Sequence, residues 1–169
     1  MRQVITLDGP SGSGKSTLAK ILSVKLGWAY LDSGALYRVL AYLSLHHALT
    51  VEALVLKSTD LPVHFDVHDG TYNTWLDGEN ITQAIRTEAV SQEASRIAVQ
   101  PAIRKALINI QRTFKSDAHL VTDGRDMGTV VFPDATLKVY VYANEEIRAK
   151  RRCKELASKG MGADFYAVL

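Results

Sequence analysis

Gly9-Pro10-Ser11-Gly12-Ser13-Gly14-Lys15-Ser16-Thr17, entered from the apolar run Val4-Ile5-Thr6-Leu7-Asp8, is the stretch that decides the fold. It satisfies G-x-x-x-x-G-K-[ST] between a short β-branched strand and an amphipathic segment, the context that a phosphate-binding loop requires. The glycines permit turns that aim successive backbone N–H groups into one concavity, and such a nest binds an anion. A helix starting near Gly14 adds its unpaired N–H groups and the positive end of its dipole. Lys15 would reach the β and γ oxygens of a bound nucleotide. Ser16 would offer a hydroxyl to Mg²⁺, a hard cation that takes oxygen ligands.

Beyond the loop, Leu18, Ile21, Leu22 and Leu26 recur at helical spacing and Gly27 stops them, which predicts a one-faced helix laid on a sheet. Trp28 to Leu31 is a second strand, and Asp32 or Ser33 caps a helix that buries Leu36, Val39, Leu40 and Leu43, with Tyr37 and Arg38 off that face. Residues 50–58 form a short helix. From Pro62 the period becomes two, with Val63, Phe65 and Val67 alternating with His64, Asp66 and His68. The turns Asp69-Gly70 and Asp77-Gly78 then complete a small antiparallel meander around Tyr72 to Leu76. His64, Asp66 and His68 share one strand face, a pattern that polar alternation produces without any metal.

Helical spacing returns through Val90, Ala94, Ile97 and Ala98, and again after Pro101 through Ile103, Ala106, Leu107, Ile110 and Phe114. His119 to Asp123 and Leu137 to Tyr142 read as strands suited to a parallel sheet. A last helix begins at Asn144 and ends near Gly160, and residues 163–169 open another apolar segment. The expected architecture is α/β: a P-loop NTPase-type parallel sheet with helices on both faces, interrupted by a small antiparallel β insert.

At 169 residues and 47% apolar content, the chain suits one domain with its own core. A formal net charge of +2 implies no nucleic-acid footprint. Cys153 is the one cysteine and cannot form an internal disulfide, which suits a reducing, cytoplasmic compartment. No apolar span reaches 18 residues, so no membrane partner is expected.

Phosphoryl transfer spreads charge over the migrating group, so the protein mainly positions and neutralises. Besides Lys15, the cations offered are Arg38, Arg125, and Arg151 or Arg152. Ligands of open α/β sheets bind outside the carboxyl ends of strands. Gly9 to Lys15, Ser33 to Arg38 and Gly124 to Asp126 all follow strand ends and should converge there. Asp123 stands where a carboxylate could hold Mg²⁺ through water.

The segments Asp32-Ser33-Gly34-Ala35-Leu36-Tyr37-Arg38 and Asp123-Gly124-Arg125-Asp126-Met127-Gly128-Thr129-Val130-Val131-Phe132-Pro133-Asp134-Ala135, joined to the phosphate loop, make the chain resemble the bacterial cytidylate kinases. The resemblance covers nearly every residue, and the long second block is its most specific part. It implies a single nucleoside-monophosphate-kinase domain over 1–169, with a core at 1–58 and 86–142, an acceptor-binding β insert at about 59–85, and the start of a mobile lid at about 143–162. It further implies Mg²⁺-dependent transfer of the ATP γ-phosphoryl group to CMP and dCMP by a monomer. ATP would bind Gly9, Pro10, Ser11, Gly12, Ser13, Gly14, Lys15, Ser16, Thr17 and Arg151. Arg38 and Arg125 would bind the acceptor phosphate beside Ser33, and Ser95, Arg104 and Asp126 would contact cytosine. Many members carry glycine at the position of Ser16, so the metal-directed hydroxyl falls to Ser16 or Thr17. The family also continues past Leu169 with more lid, an acceptor-binding Asp and Arg, and a last strand and helix. A molecule truly ending at Leu169 is expected to show weak or no activity. The alternatives are a P-loop kinase for UMP, AMP or shikimate, and a non-catalytic ATP-binding module.

Overall fold

A computed structural model describes residues 2–68, 71–115 and 118–158. In chain order its elements are β1 (Val4–Asp8), α1 (Lys15–Leu26), β2 (Ala29–Asp32), α2 (Ser33–His47), α3 (Val51–Thr59), β3 (Val63–His68), β4 (Thr71–Leu76), β5 (Glu79–Asn80), α4 (Glu88–Ala98), α5 (Pro101–Thr113), β6 (Leu120–Gly124), β7 (Leu137–Tyr140) and α6 (Glu145–Ser158). Four strands form a parallel sheet in the order β2-β6-β1-β7. The period of two along its strands splits the core. Val4, Leu31 and Leu120 pack with the apolar stripes of α2, α4 and α5 on one face, while Ile5, Leu7, Tyr30 and Val121 pack with Ala19 of α1 on the other. Helices therefore flank both faces, as the alternating sequence predicts.

The insert is a second, antiparallel sheet in the order β3-β4-β5. Asp77 and Gly78, with φ of +51° and +80°, make the two-residue hairpin turn between β4 and β5. The insert straddles β2, an edge of the main sheet: Tyr72 joins the α1-side core, whereas Leu76 and Phe65 join the α2-side core. It thereby covers an edge that would otherwise be open to pairing. Asp32 caps α2, accepting from the Ala35 N–H at 3.0 Å, so of the two predicted caps the carboxylate wins.

Two expectations need correction. The apolar stripe of α1 is only partly turned inward: Leu22 packs half-buried against the core, but Leu18, Ile21 and Leu26 are 42–51% exposed, and the buried residues are Ala19 and Ser23. This helix runs close along β6, where the small side chains of Ala19 and Ser23 are buried, and Leu18, Ile21 and Leu26 turn aside. The run read as a strand from Leu137 to Tyr142 is shorter in the structure. It pairs only with β1 among the described residues, ends at Tyr140, and leaves Leu137, Tyr140 and Tyr142 half-exposed or more. The Asp69-Gly70 turn, the helix end near Gly160 and the segment 163–169 lie outside the described residues. No helix among those residues is long and apolar enough to cross a membrane.

Candidate functional site

The loop between β1 and α1 turns through Gly12 and Gly14, whose φ values are +76° and +96°. Gly9 is required for a different reason: a Cβ there would sit 2.2 Å from the Val141 carbonyl oxygen, which is backbone and cannot yield. Gly9→Ala must therefore push the loop off its strand. We expect ATP affinity to fall at least about tenfold, the equivalent of about 1.4 kcal/mol, in a titration of the purified variant.

Lys15 Nζ donates to the Pro10 carbonyl at 3.2 Å, across the loop it belongs to. Burial lowers its pKa, and Arg125 adds to this, while the charges of Asp123, Asp32 and Asp8 oppose it. The ammonium is thus a partly desolvated cation that a phosphate would relieve. Two buried side-chain atoms at the loop lack a hydrogen-bond partner, Ser13 Oγ and Arg148 Nε, and both are donors of the kind an anion needs.

The carboxylate of Asp123, at the end of β6 and 2% exposed, receives two side-chain hydrogen bonds. Ser16 Oγ donates to its Oδ2 at 2.7 Å, and Tyr30 Oη donates to its Oδ1 at 2.5 Å. Burial, reinforced by the nearby charge of Asp32, raises its pKa to about 6 against the opposing pull of Ser16, Tyr30 and Lys15. The residues fit Mg²⁺: two hard oxygen donors meet at the start of α1, and the buried negative charge is only partly compensated.

Asp8, the last residue of β1, ties this loop to the next one. Its two carboxylate oxygens accept the backbone N–H groups of Met127 and Gly128, each at 2.8 Å. The chain there makes a π-helical turn over Met127–Val131, so Arg125 and Asp126 are held at its mouth. Asp8→Asn leaves one of these buried N–H groups facing a donor, a loss of about 1 to 3 kcal/mol. We expect thermal denaturation several degrees lower and a KM for the acceptor raised more than that for ATP.

Arg125 is exposed and, with Gly9, Pro10, Ser11, Tyr140 and Arg148, lines a cleft of about 280 Å³. Arg104 of α5 pairs with Asp126. Tyr37, whose phenol is driven up chiefly by burial, feels the charges of both. Arg38 Nη1 donates to Ser91 Oγ at 2.7 Å and to the Ile85 carbonyl at 3.2 Å. Ser95, a turn further along α4, is exposed and gives its hydroxyl proton to the Ser91 carbonyl rather than to the Arg104–Asp126 pair. Ser33 Oγ accepts from the amide of Gln111 at 2.9 Å. Of the two arginines offered by α6, Arg151 reaches the loop, donating to the Gly12 carbonyl at 2.8 Å. Arg152 pairs instead with Glu88 and Glu155.

The strand ends thus bring Lys15, Ser16, Asp123 and Arg125 together, and α5 brings Arg104 to Asp126. Sequence reading passed over Asp8, Tyr30, Gln111 and Tyr37. Of these, Gln111 carried a signal, a polar residue at i+4 from Leu107 on the apolar stripe of its helix.

The family model described as cytidylate kinase matches residues 5–169. A protein of Edwardsiella ictaluri named cytidylate kinase is 50% identical over 98% of this chain and 75% of its own length. Its namesake from Sodalis glossinidius is 49% identical over 98% and 74%, and that from Aeromonas salmonicida 48% over 100% and 75%. A solved structure from Thermus thermophilus overlaps 99% of this chain and 76% of its own, with 21% identity and a TM-score of 0.45.

Proposed function

Since this chain belongs to the cytidylate kinase family, we propose that the loops after β1 and β6 are the donor and acceptor halves of one phosphoryl-transfer site. The reaction is transfer of the ATP γ-phosphoryl group to CMP or dCMP. The observation that carries the site assignment is the junction of the two loops. Gly9 N–H donates to the Gly124 carbonyl at 3.3 Å, and Asp8 grips the turn beyond Arg125, so nest and acceptor loop are held as one body.

In this reading the ATP phosphates occupy the nest of Gly9 to Thr17. The rest of ATP follows a cleft of about 680 Å³ lined by that loop, Leu18, Ile21, Val141 and Arg151, which gives the exposed side chains of α1 a use. Arg38 and Arg125 hold the CMP phosphate beside Ser33. Asp126 accepts from the cytosine N4 amino group, and Arg104 and Ser95 donate to N3 and O2. An oxygen of the CMP phosphate attacks the γ phosphorus as its bond to the ADP oxygen breaks, and Lys15 and Arg125 neutralise the charge that the γ oxygens carry between them. Mg²⁺, when bound, would offset charge on the departing ADP. Ser16 would hold it directly and Asp123 through water, with Thr17 as the alternative hydroxyl. The β insert would serve the acceptor side and α6 would begin the lid, in a cytoplasmic monomer.

The test is the fate of label from γ-labelled ATP. Label should appear in CDP only when CMP is present. Release as inorganic phosphate, indifferent to CMP, would remove the kinase assignment.

A further inference from the structure

Tyr30 is not a residue that a phosphate loop requires, yet it makes the shortest bond to the carboxylate at the site's centre. Its hydroxyl, on a side chain just 6% exposed, donates to Asp123 Oδ1 at 2.5 Å, while Ser16 takes Oδ2. The two bonds leave the carboxylate no freedom to rotate. The phenol ring is itself pinned: Tyr72, reaching in from β4 of the insert, meets it edge-on at a centroid distance of 4.7 Å. Tyr72 is anchored in turn to α1, its hydroxyl lying 2.9 Å from Ser23 Oγ and 3.0 Å from the Lys20 carbonyl. Since Ser23 donates its own proton to the Trp28 carbonyl, its oxygen is free to accept. Lys20 Nζ lies 5.9 and 5.2 Å from the two ring centroids.

We propose that Tyr30 is a positioning residue of the metal site: its hydroxyl holds Oδ1 of Asp123 so that Oδ2 stays on Ser16 and faces the phosphate loop, with Tyr72 of the insert fixing the ring. The inference rests on the reading of Asp123 as the metal-side carboxylate. Physically, a buried carboxylate oxygen that loses its donor seeks another. Without the phenol, Asp123 would turn away from Ser16 in search of another donor, spoiling the metal position. Partners that orient metal-holding groups typically matter by about 10- to 100-fold in metal affinity, and a water-mediated carboxylate should fall at the low end.

The test uses Tyr30→Phe, which keeps the ring and its contact with Tyr72, beside Asp123→Asn. Mn²⁺ is the probe, and its binding to the protein·ATP complex is followed by electron paramagnetic resonance. ATP affinity in EDTA and thermal denaturation are measured on the same samples. Tyr30→Phe should weaken Mn²⁺ binding about tenfold and leave ATP affinity in EDTA within about twofold of the parent. Unchanged Mn²⁺ binding in Tyr30→Phe, with a loss in Asp123→Asn, overturns the role of Tyr30 and leaves Asp123 at the metal. Unchanged binding in both removes Asp123 from the metal and the inference with it. Parallel losses of Mn²⁺ binding, metal-free ATP binding and melting temperature in Tyr30→Phe would reduce Tyr30 to a structural residue and overturn the inference too.

Discussion

Lys15→Ala should lower CMP-dependent ADP formation about a thousandfold, the upper range for removing one preorganised charge-stabilising donor. The effect is large because Lys15 is the partly buried cation of the loop, its pKa lowered by burial and by Arg125 against the pull of Asp123, Asp32 and Asp8. Its hydrogen bond among the described residues runs to the Pro10 carbonyl of the same loop, so its loss removes little that holds the fold. The melting temperature should stay within a few degrees of the parent. A stopped-time assay of ADP, with a melting curve on the same preparation, separates lost chemistry from lost structure. Turnover within tenfold of the parent would remove Lys15 from the reaction.

Asp126→Ala should collapse the preference for CMP over UMP. Cytosine offers an N4 amino donor where uracil offers the O4 acceptor, and in the proposed site Asp126, which pairs with Arg104, is the acceptor meant for that donor. Leaving the amino group unmatched at the base costs about 1 to 3 kcal/mol, so kcat/KM for CMP should drop about 5- to 150-fold. Activity on UMP, which has no such donor to lose, should drop far less. The fold should tolerate the change: the Arg104 side chain is 46% exposed, and water replaces its partner at little expense. A CMP to UMP ratio equal to the parent's would rule out Asp126 as the reader of the base.

Much of this was legible in the residues, and what was not has local physical causes. The phosphate loop, the strand ends after Leu7, Leu31 and Thr122, and the period-two insert each carry a signal within ten residues, and all appear where expected. The Arg104–Asp126 pair was reachable only through family resemblance, because 22 residues separate its members. Asp8 illustrates a signal that composition cannot supply. A carboxylate ending a buried strand resembles a loop residue until the partner strand is placed beside it, and only then do two backbone N–H groups 119 and 120 residues away come within reach. The stripe on α1 held only in part, for the opposite reason. Spacing located a helix and an apolar face, but along β6 the buried residues are Ala19 and Ser23.

The central claim is that the loops after β1 and β6 form one site that phosphorylates a cytosine nucleotide, and acceptor selectivity tests it most directly. The measurement is kcat/KM for ADP formation from Mg·ATP with CMP, dCMP, UMP, AMP and shikimate as separate acceptors, with intact mass recorded on the same sample. The account predicts turnover with CMP and dCMP at least about tenfold above every other acceptor, as one unmatched buried polar group would impose. Turnover with UMP, AMP or shikimate equal to that with CMP would contradict it.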